Sequence, residues 1–406
     1  MPQYLSPGVY VEETPSAARP IAGVGTSTAG FIGVVGDNVV MPLKPGKTGK
    51  NSNGTTKSDD YYQVAPVSKP QLITSWEQFK NNFGDIQEAK AAEGEKPAKP
   101  GNATLAHAVY GFFNNGGTRC WVIRVTDITS LDNSLELFAP IDEISIVAVP
   151  GAVTNTQHKS ILAHCFKLQD RFAILDGVKS PGTLTPASIA PGGRDETGSY
   201  GAVYFPWVKV SDPATGEDID VPPSGHIAGI YARNDATRGV HKAPANEVVL
   251  GATGLVRPVS KTEQDGLNPA GVNVIRSFNG SIKIWGARTL ADEARSDFKY
   301  ISTRRLFNFL RESIDAGTQW VVFEPNTPAL WQGITRNVTA FLTGVWRAGA
   351  LFGNTPQEAF YVKCDADTNP PDQRDLGMVV TEIGVSIVRP AEFVIFRIGQ
   401  WSGPGK

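Results

Sequence analysis

The chain has 406 residues, of which 41% are hydrophobic and 19% charged, and its formal net charge is −2. This length is enough for two or three domains with a large core, and the nearly balanced charge disfavours a broad nucleic-acid-binding surface. Because the sequence has neither a cationic, apolar start nor an apolar run of ~18 residues, we expect no signal peptide and no membrane span.

Residues 1–20 are rich in proline but enclose a short alternating run, Val9-Tyr10-Val11-Glu12. The prolines at positions 2, 7, 15 and 20 argue against a central strand of a compact sheet, because proline cannot donate to the ladder. The residues alone leave two alternatives. The segment is either a disordered tail or an arm that becomes ordered by adding a strand to another molecule's sheet edge.

Two glycine-containing segments invite a nucleotide-binding interpretation, and both lack the required pattern. Residues 27–37 predict a strand with glycines at positions 30, 33 and 36, but the full dinucleotide fingerprint is missing and no helix follows. The run Gly46-Lys47-Thr48 is a fragment of a phosphate-binding loop, yet Met41 stands where the first glycine is needed. We therefore predict no nucleotide cofactor.

The region from residue 75 to residue 210 alternates predicted helices and strands. Ser75 and Gln78 predict a capping box at the start of a short helix, which Gly84 ends. The other predicted elements are a helix, tight turn and strand within 105–125, strands at 144–151, 171–177 and 202–210, and a helix at 156–169. This alternation indicates a layered α/β domain with a mostly parallel sheet.

Three groups of residues could suggest chemistry, and none has the required pattern. Ser224 lies close to His226, as in a hydrolase, but no G-x-S-x-G elbow surrounds it. Asp365, Asp367 and Asp372 lack the glycine and terminal glutamate of a calcium-binding loop. The five histidines and three cysteines form no metal-ligand pattern, and the cysteines are expected to be buried free thiols. We predict no catalytic residue, cofactor or metal, and keep a hydrolase using Ser224 as the enzymatic alternative.

The strongest helical pattern follows Thr327. Apolar residues then recur at spacings of three and four, which places them on one face of a helix extending to Ala348. Thr327 is the expected N-cap, with Pro328 at the first helical position. Arg336 and Arg347 fall on the same polar stripe, roughly 16 Å apart along the axis. They are either solvated or form a cationic ridge for an acidic partner.

Three strands are predicted near the C-terminus. One begins at residue 359 and leads into an acidic turn, and the others lie at 378–388 and 391–398. The last is apolar on both faces, since Phe393 and Ile395 alternate with Val394 and Phe396. Such a strand requires cover on both faces and a pairing partner.

Several segments of the sequence form a combined pattern: PGVYVEE near the N-terminus, the helix–NGG–strand unit at 105–125, the run from PPSG to APAN at 221–246, WGARTL (285–290), Arg304-Arg305, QWVVFEPN (319–326), the tryptophan-bearing helix and PAEFVIFRI (390–398). Together they resemble the contractile tail sheath protein family, which forms the sheaths of contractile phage tails, R-type tailocins and extracellular contractile injection systems. The resemblance covers nearly the whole chain apart from the loops near 41–62, 88–101 and 178–200.

The resemblance implies an α/β fold with a layered mixed sheet in an outer domain, an α+β C-terminal inner domain, and extended strand arms at both termini. For this sequence we expect an N-terminal linking arm (1–20), an outer domain (21–275), a tube-facing domain (276–389) and a C-terminal strand or arm (390–406). The implied function is that of a non-enzymatic subunit. It would polymerise helically around an inner tube and contract to drive the tube through a target envelope.

The resemblance also implies partners and sites. Val9, Tyr10 and Val11 would form one inter-subunit strand, and Phe393, Val394, Ile395 and Phe396 another. Our own hypothesis for the tube contact is the helix from Thr327 to Ala348, through Arg336 and Arg347. The partners would be further copies in stacked rings, an inner tube protein, baseplate and tail terminator proteins, and sister sheath proteins, but neither nucleic acid nor membrane. Assembly is expected in the bacterial cytoplasm, within a phage tail or a released extracellular particle. A different filament-type or capsid-type structural protein is the alternative.

Overall fold

The structure, a computed structural model, describes residues 20–50, 56–86, 101–192, 194–213 and 215–396. By internal contacts the described chain divides into two compact units. The large unit comprises residues 24–312 and the segment from residue 388 onward, and the small unit comprises residues 20–23 and 313–387. In the described part of the chain, no helix combines the length and apolar character needed to cross a bilayer.

The large unit contains a series of short strands and helices in alternation. Its strands are β1 (Ala29–Val34), β2 (Gln71–Ile73), β3 (Cys120–Val125), β4 (Ile146–Ala148), β5 (Phe172–Asp176), β6 (Gly201–Phe205), β7 (Val208–Ser211), β8 (Asp218–Val221), β9 (Ala252–Leu255), β10 (Val272–Phe278) and β11 (Ser281–Ile284). Its helices are α1 (Trp76–Phe83), α2 (Ala103–Asn114), α3 (Asp132–Glu136), α4 (Asn155–Leu168), α5 (Pro186–Ile189), α6 (Ser224–Arg238), α7 (Lys261–Leu267) and α8 (Ile301–Thr318), which continues into the small unit.

Eight strands form one mixed sheet in the order β11-β10-β6-β5-β4-β1-β3-β2. The pairings from β10 across to β3 are parallel, and the outermost pairings, β10–β11 and β2–β3, are antiparallel. Neighbouring residues of β1 serve opposite faces, because Phe31 packs in the core with α1, α2 and α6 whereas Ile32 packs in the core with α4. This layered arrangement confirms the predicted α/β class with a mixed sheet.

Helices α2 and α6 pack unusually closely, and glycines in the PPSG…AG motif explain why. A Cβ atom at Gly225 would lie 2.3 Å from the carbonyl oxygen of Ala108, and one at Gly229 would lie 2.4 Å from that of Phe112. Both distances are impossible for a real side chain, so the two helix backbones can touch only because these positions are glycine. The motif therefore has a packing role in this fold.

A second sheet in the large unit has the order β8-β7-β9. The single strand predicted at 202–210 is wrong, because the structure divides it into β6 of the large sheet and β7 of this smaller one. Pro206 lies between them and supplies no backbone N–H for a ladder. The sequence pattern is continuous across the break because both strands are buried.

The remaining predicted elements of the large unit are found with small shifts. The helix at 156–169 corresponds to α4, and the helix–turn–strand at 105–125 corresponds to α2 and β3. Ser75 accepts a hydrogen bond from the backbone N–H of Gln78, as predicted, and Gly84 follows α1 with a φ of 81°. The side chain of Gln78, however, accepts from the N–H of Thr74 at 2.9 Å, one residue earlier than in a standard capping box.

The small unit follows α8 with a long amphipathic helix and a two-stranded antiparallel sheet. Its elements are α9 (Pro328–Arg347), α10 (Pro356–Ala359), β12 (Phe360–Lys363), α11 (Pro371–Asp375) and β13 (Glu382–Val385). Thr327 caps α9 as predicted, since its side chain accepts from the N–H of Leu330. Asp365 accepts from the backbone N–H groups of Asp367 and Thr368, which makes the acidic segment a hydrogen-bonded turn.

Two expectations about the C-terminal half differ from the structure. The expected domain boundary at 275/276 falls inside β10, whereas the two compact units divide within α8, between Glu312 and Ser313. The strand predicted at 391–398 is absent from its described part, since residues 391–396 have no regular secondary structure. A strand exists only where a neighbouring strand pairs with it, and in the described chain nothing pairs with these residues.

Candidate assembly surfaces

Helix α9 presents an apolar face to the small unit and a polar face to solvent. Leu330, Ile334, Val338 and Leu342 are buried, and they recur at the spacing that the sequence pattern requires. Arg336 and Arg347 are both exposed, eleven residues apart. Their guanidinium groups therefore lie on the solvent side of α9 and are available to an acidic surface.

The carboxylate of Glu392 is held by three side chains of the large unit. Arg288 binds it bidentately, with its Nε 2.7 Å from Oε1 and its Nη2 2.9 Å from Oε2. Asn268 Nδ2 donates to Oε1 at 2.8 Å, and Tyr300 Oη donates to Oε2 at 2.9 Å. Each carboxylate oxygen thus accepts two hydrogen bonds, an arrangement we call the Glu392 clamp.

In the Glu392 clamp the negative carboxylate of Glu392 is paired with the positive guanidinium of Arg288. The side chains of Arg288 and Glu392 are only 9% and 17% exposed. Burial alone would raise the pKa of Glu392, but the hydrogen bonds from Arg288, Asn268 and Tyr300 outweigh it and leave the pKa below its ordinary value. The clamp therefore fixes the C-terminal segment to the large unit wherever the carboxylate is ionised. Sequence analysis missed it, although Arg288 belongs to WGARTL and Glu392 to PAEFVIFRI.

Four apolar residues follow the clamp directly, and all are solvent-exposed. Phe393, Val394, Ile395 and Phe396 are between 68% and 84% exposed. Four consecutive exposed apolar side chains are an unfavourable arrangement for an isolated molecule and typical of an interaction site. The structure therefore brings the predicted C-terminal residues to the surface, whereas Val9, Tyr10 and Val11 lie outside the described residues.

The β12–β13 sheet of the small unit has only two strands in the described chain. It pairs Phe360 with Val385 and Lys363 with Glu382, and only an isolated bridge between Leu351 and Ile387 extends it within the described chain. A two-stranded sheet is marginally stable by itself and gains from additional strands. A strand edge that lacks a partner can accept an extended segment of another chain.

Ser224, the serine that suggested a hydrolase, is buried and hydrogen-bonded to the carboxylate of Asp176. Ser224 Oγ donates to Asp176 Oδ2 and Ser224 N donates to Asp176 Oδ1, both at 2.8 Å. Burial raises the pKa of Asp176 to about 6, and burial of His226 lowers the pKa of its imidazole to about 4. Ser224 is fully buried at the start of α6, so its hydroxyl is not accessible to a substrate. In the described residues, no group of three or more histidine, cysteine or acidic side chains could hold a metal ion.

Comparisons with known proteins agree with this geometry. Residues 131–290 match the model of the phage tail sheath protein central domain, and residues 293–400 match that of the phage tail sheath C-terminal domain. A prophage major tail sheath protein of Pseudomonas aeruginosa (strain UCBPP-PA14) is 29% identical over 56% of this chain, and the tail sheath protein of Burkholderia phage BcepMu is 28% identical over 48%. The matched regions span 58% and 41% of those two proteins.

A solved structure covers nearly the entire chain. The contracted helical sheath of the anti-feeding prophage contains a chain that is 29% identical, with a TM-score of 0.72, over 97% of this chain and 99% of that one. The contracted sheath complex of the extracellular contractile injection system PVC gives 27% identity and a TM-score of 0.75 over 99% of both chains. This chain therefore belongs to the contractile tail sheath family, the structural subunits of contractile phage tails and injection systems.

Proposed function

We propose that this chain polymerises helically around an inner tube and contracts to drive the tube through a target envelope. The observation that carries the proposal is the exposed apolar segment Phe393–Phe396, which directly follows the Glu392 clamp. In this proposal the segment of one copy adds a strand to the β12–β13 sheet of another copy, and residues 1–20 form a second linking arm. A donor on one surface and an acceptor on another give a heterologous contact, which propagates as an open helix.

Contraction in this proposal requires no nucleotide. The extended sheath is a kinetically trapped packing, and the contracted sheath gains lateral contacts between subunits. Backbone ladders at the linking arms keep the subunits joined while their folded units move. A difference of a few kcal/mol per subunit, the usual size of a conformational free-energy gap, is multiplied by the number of subunits in the sheath.

The inner tube is the proposed partner of α9, through Arg336 and Arg347. Exposed ion pairs contribute only ~0–1 kcal/mol each, so such a contact positions the sheath and is easily released. We expect Arg336→Glu with Arg347→Glu to abolish extended sheath on tubes while self-assembly persists. Arg374→Glu with Lys261→Glu, two charge reversals at exposed positions elsewhere, is the matched control. Extended sheath formed by the Arg336/Arg347 variant would contradict the assignment.

The remaining partners and the setting follow from the same proposal. Baseplate and tail terminator proteins would bind the two ends of the sheath, and sister sheath proteins could occupy equivalent positions in its rings. Assembly would take place in the bacterial cytoplasm, and the finished particle would be a phage tail or an extracellular injection device. The proposal assigns no catalytic step to the chain.

Electron microscopy of the purified protein tests the linking segments. We expect the intact chain to form striated hollow tubes, and chains lacking residues 1–20 or 393–406 to remain folded but unassembled. Leu43→Ser with Leu250→Ser, which removes exposed apolar side chains elsewhere, is expected to assemble normally. Tubes formed without residues 393–406 would refute the strand-donation mechanism, and a folded intact chain that forms no tubes would refute self-assembly.

A further inference from the structure

The loop between α8 and α9 holds an aromatic side chain entirely in solvent. Phe323 is 101% exposed and its neighbour Val322 is 58% exposed. None of the described residues shields the ring, although phenylalanine is one of the side chains that gain most from burial. The loop lies within QWVVFEPN, the sequence run between Gln319 and Asn326.

The backbone at this loop is also unfavourable for phenylalanine. Val322 has φ −64° and ψ 128°, Phe323 has φ 69°, and the N–H of Glu324 donates to the carbonyl of Val321 at 3.1 Å. These values describe a type II turn, whose third residue is normally glycine or asparagine because of its left-handed conformation. A bulky residue there is a conformational outlier. Both the solvent exposure of this position and its left-handed backbone conformation are thus unfavourable for phenylalanine.

The base of the turn is fixed to the rest of the small unit. Asn326 Oδ1 accepts from Trp331 Nε1 at 2.8 Å, and Asn326 Nδ2 donates to the carbonyl of Met378 at 2.9 Å. The first bond ties the loop to α9 and the second ties it to the turn that follows α11. The backbone of the turn is consequently positioned before any partner arrives, which reduces the conformational entropy that this loop loses on binding.

We infer that Phe323 is a preformed apolar anchor that docks on a second copy of this chain; the inference rests on the self-assembly proposed above. The small unit exposes six large apolar side chains within residues 313–387, as many as the far longer described part of residues 24–312 exposes: Val322, Phe323, Phe352, Tyr361, Leu376 and Met378. This concentration fits a unit surrounded by other copies.

We infer that the partner is another copy because the proposed self-assembly surrounds each subunit with copies of itself. The structural match to a helical sheath subunit covers 97% of the chain, so the small unit lies within the matched region. In a helical assembly the turn of every subunit has the same surroundings, so a contact that Phe323 makes with a neighbouring copy is repeated throughout the lattice. Rigid aromatic side chains at the centre of an interface commonly dominate its affinity.

The test separates binding from folding, because the informative substitution suits the turn. In Phe323→Asn the new residue tolerates the left-handed conformation, so we expect the melting temperature of the unassembled protein to stay unchanged or to rise. Self-assembly of the purified chain, followed by sedimentation without any tube protein, is expected to require at least a tenfold higher concentration. Phe323→Tyr keeps an aromatic ring and is expected to assemble within about twofold of the intact chain.

Each outcome decides the inference. A higher assembly threshold for Phe323→Asn with an undiminished melting temperature supports it. Assembly of that variant at the threshold of the intact chain overturns it, and if binding to a tube protein is then lost, the occupant is the tube. If the folded intact chain fails to assemble, the proposed function fails first and the inference fails with it.

Discussion

The Glu392 clamp gives the most specific prediction about how the C-terminal segment is held. Glu392→Gln preserves the size of the side chain but removes its charge. The amide oxygen can still accept from Arg288 Nε and Asn268 Nδ2, which surround Oε1. The amide nitrogen then faces Arg288 Nη2, a second donor, and only Tyr300 Oη can accept from it.

The magnitude follows from the bonds that change. One charge-assisted hydrogen bond is lost, which costs roughly 1.5–3 kcal/mol, and the guanidinium of Arg288 loses its counter-ion. Because Glu392 is 17% exposed, water compensates in part, and we take about 2 kcal/mol for the net effect. That value corresponds to a ~30-fold larger population in which the segment has left the clamp.

A spin label at residue 391 measures this population. Ala391 is exposed and all three native cysteines are buried, so Ala391→Cys provides one accessible labelling site in the described chain. With Glu392 intact we expect a largely immobilised spectrum, and with Glu392→Gln a ratio of mobile to immobile label about 30-fold higher. The melting temperature should change little, because the clamp restrains a terminal segment and not the core.

Glu217→Gln serves as the control, since Glu217 is exposed in a loop of the large unit. Its spectrum should match that of the labelled protein without a second substitution. If Glu392→Gln also gave an unchanged spectrum, the four hydrogen bonds would not be restraining the segment and the reasoning would be refuted. If it unfolded the whole large unit, the clamp would be part of the core rather than an anchor for the segment.

Three further predictions concern the large unit and the helix α9. Gly229→Ala should destabilise the protein by at least 2–3 kcal/mol, because the new methyl group would lie 2.4 Å from a carbonyl oxygen of α2. Gly344→Ala lies in open space on α9 and should stabilise the protein by about 0.5–1 kcal/mol. Denaturant titration measures both changes. Asp235→Asn should cost roughly 3–5 kcal/mol by the same measurement, because it leaves Arg305 buried without its carboxylate partner, which it contacts at 2.6 and 2.9 Å; a loss below 1 kcal/mol would contradict this. Burial lowers the pKa of His226 from 6.5 to about 4, so as the pH falls the imidazole is protonated in the unfolded chain before it is protonated in the folded one. The free energy of unfolding therefore decreases by about 3 kcal/mol for this residue as the pH is lowered from 6.5 to 4. His226→Asn should flatten that part of the curve of stability against pH, and an unchanged slope would contradict the assignment.

Sequence reasoning succeeded where the signal is local. Thr327 before Pro328, and the apolar spacing that follows, were sufficient to place α9, because capping and periodicity act within a few residues. The alternating helices and strands likewise predicted the layered mixed sheet. The continuous apolar pattern at 202–210 was misleading, because two buried strands in different sheets have the same composition.

The features that matter for assembly depend on contacts between distant residues. Glu392 and Arg288 are 104 positions apart, and nothing near either residue indicates that they meet. Phe323 is an apolar residue in an apolar run, so only the backbone conformation shows that it is exposed at an unfavourable turn. Both residues lie in runs that resemble sheath proteins, PAEFVIFRI for Glu392 and QWVVFEPN for Phe323, but the resemblance did not predict the contacts or the backbone conformation found there.

A helical reconstruction of the assembled protein by cryo-electron microscopy tests the central claim most directly. We predict that residues 393–396 of each copy lie as a strand beside the β12–β13 sheet of another copy, after leaving the Glu392 clamp of their own chain. An assembly in which this segment folds back on its own chain, with the β12–β13 edges occupied by nothing, would contradict the account.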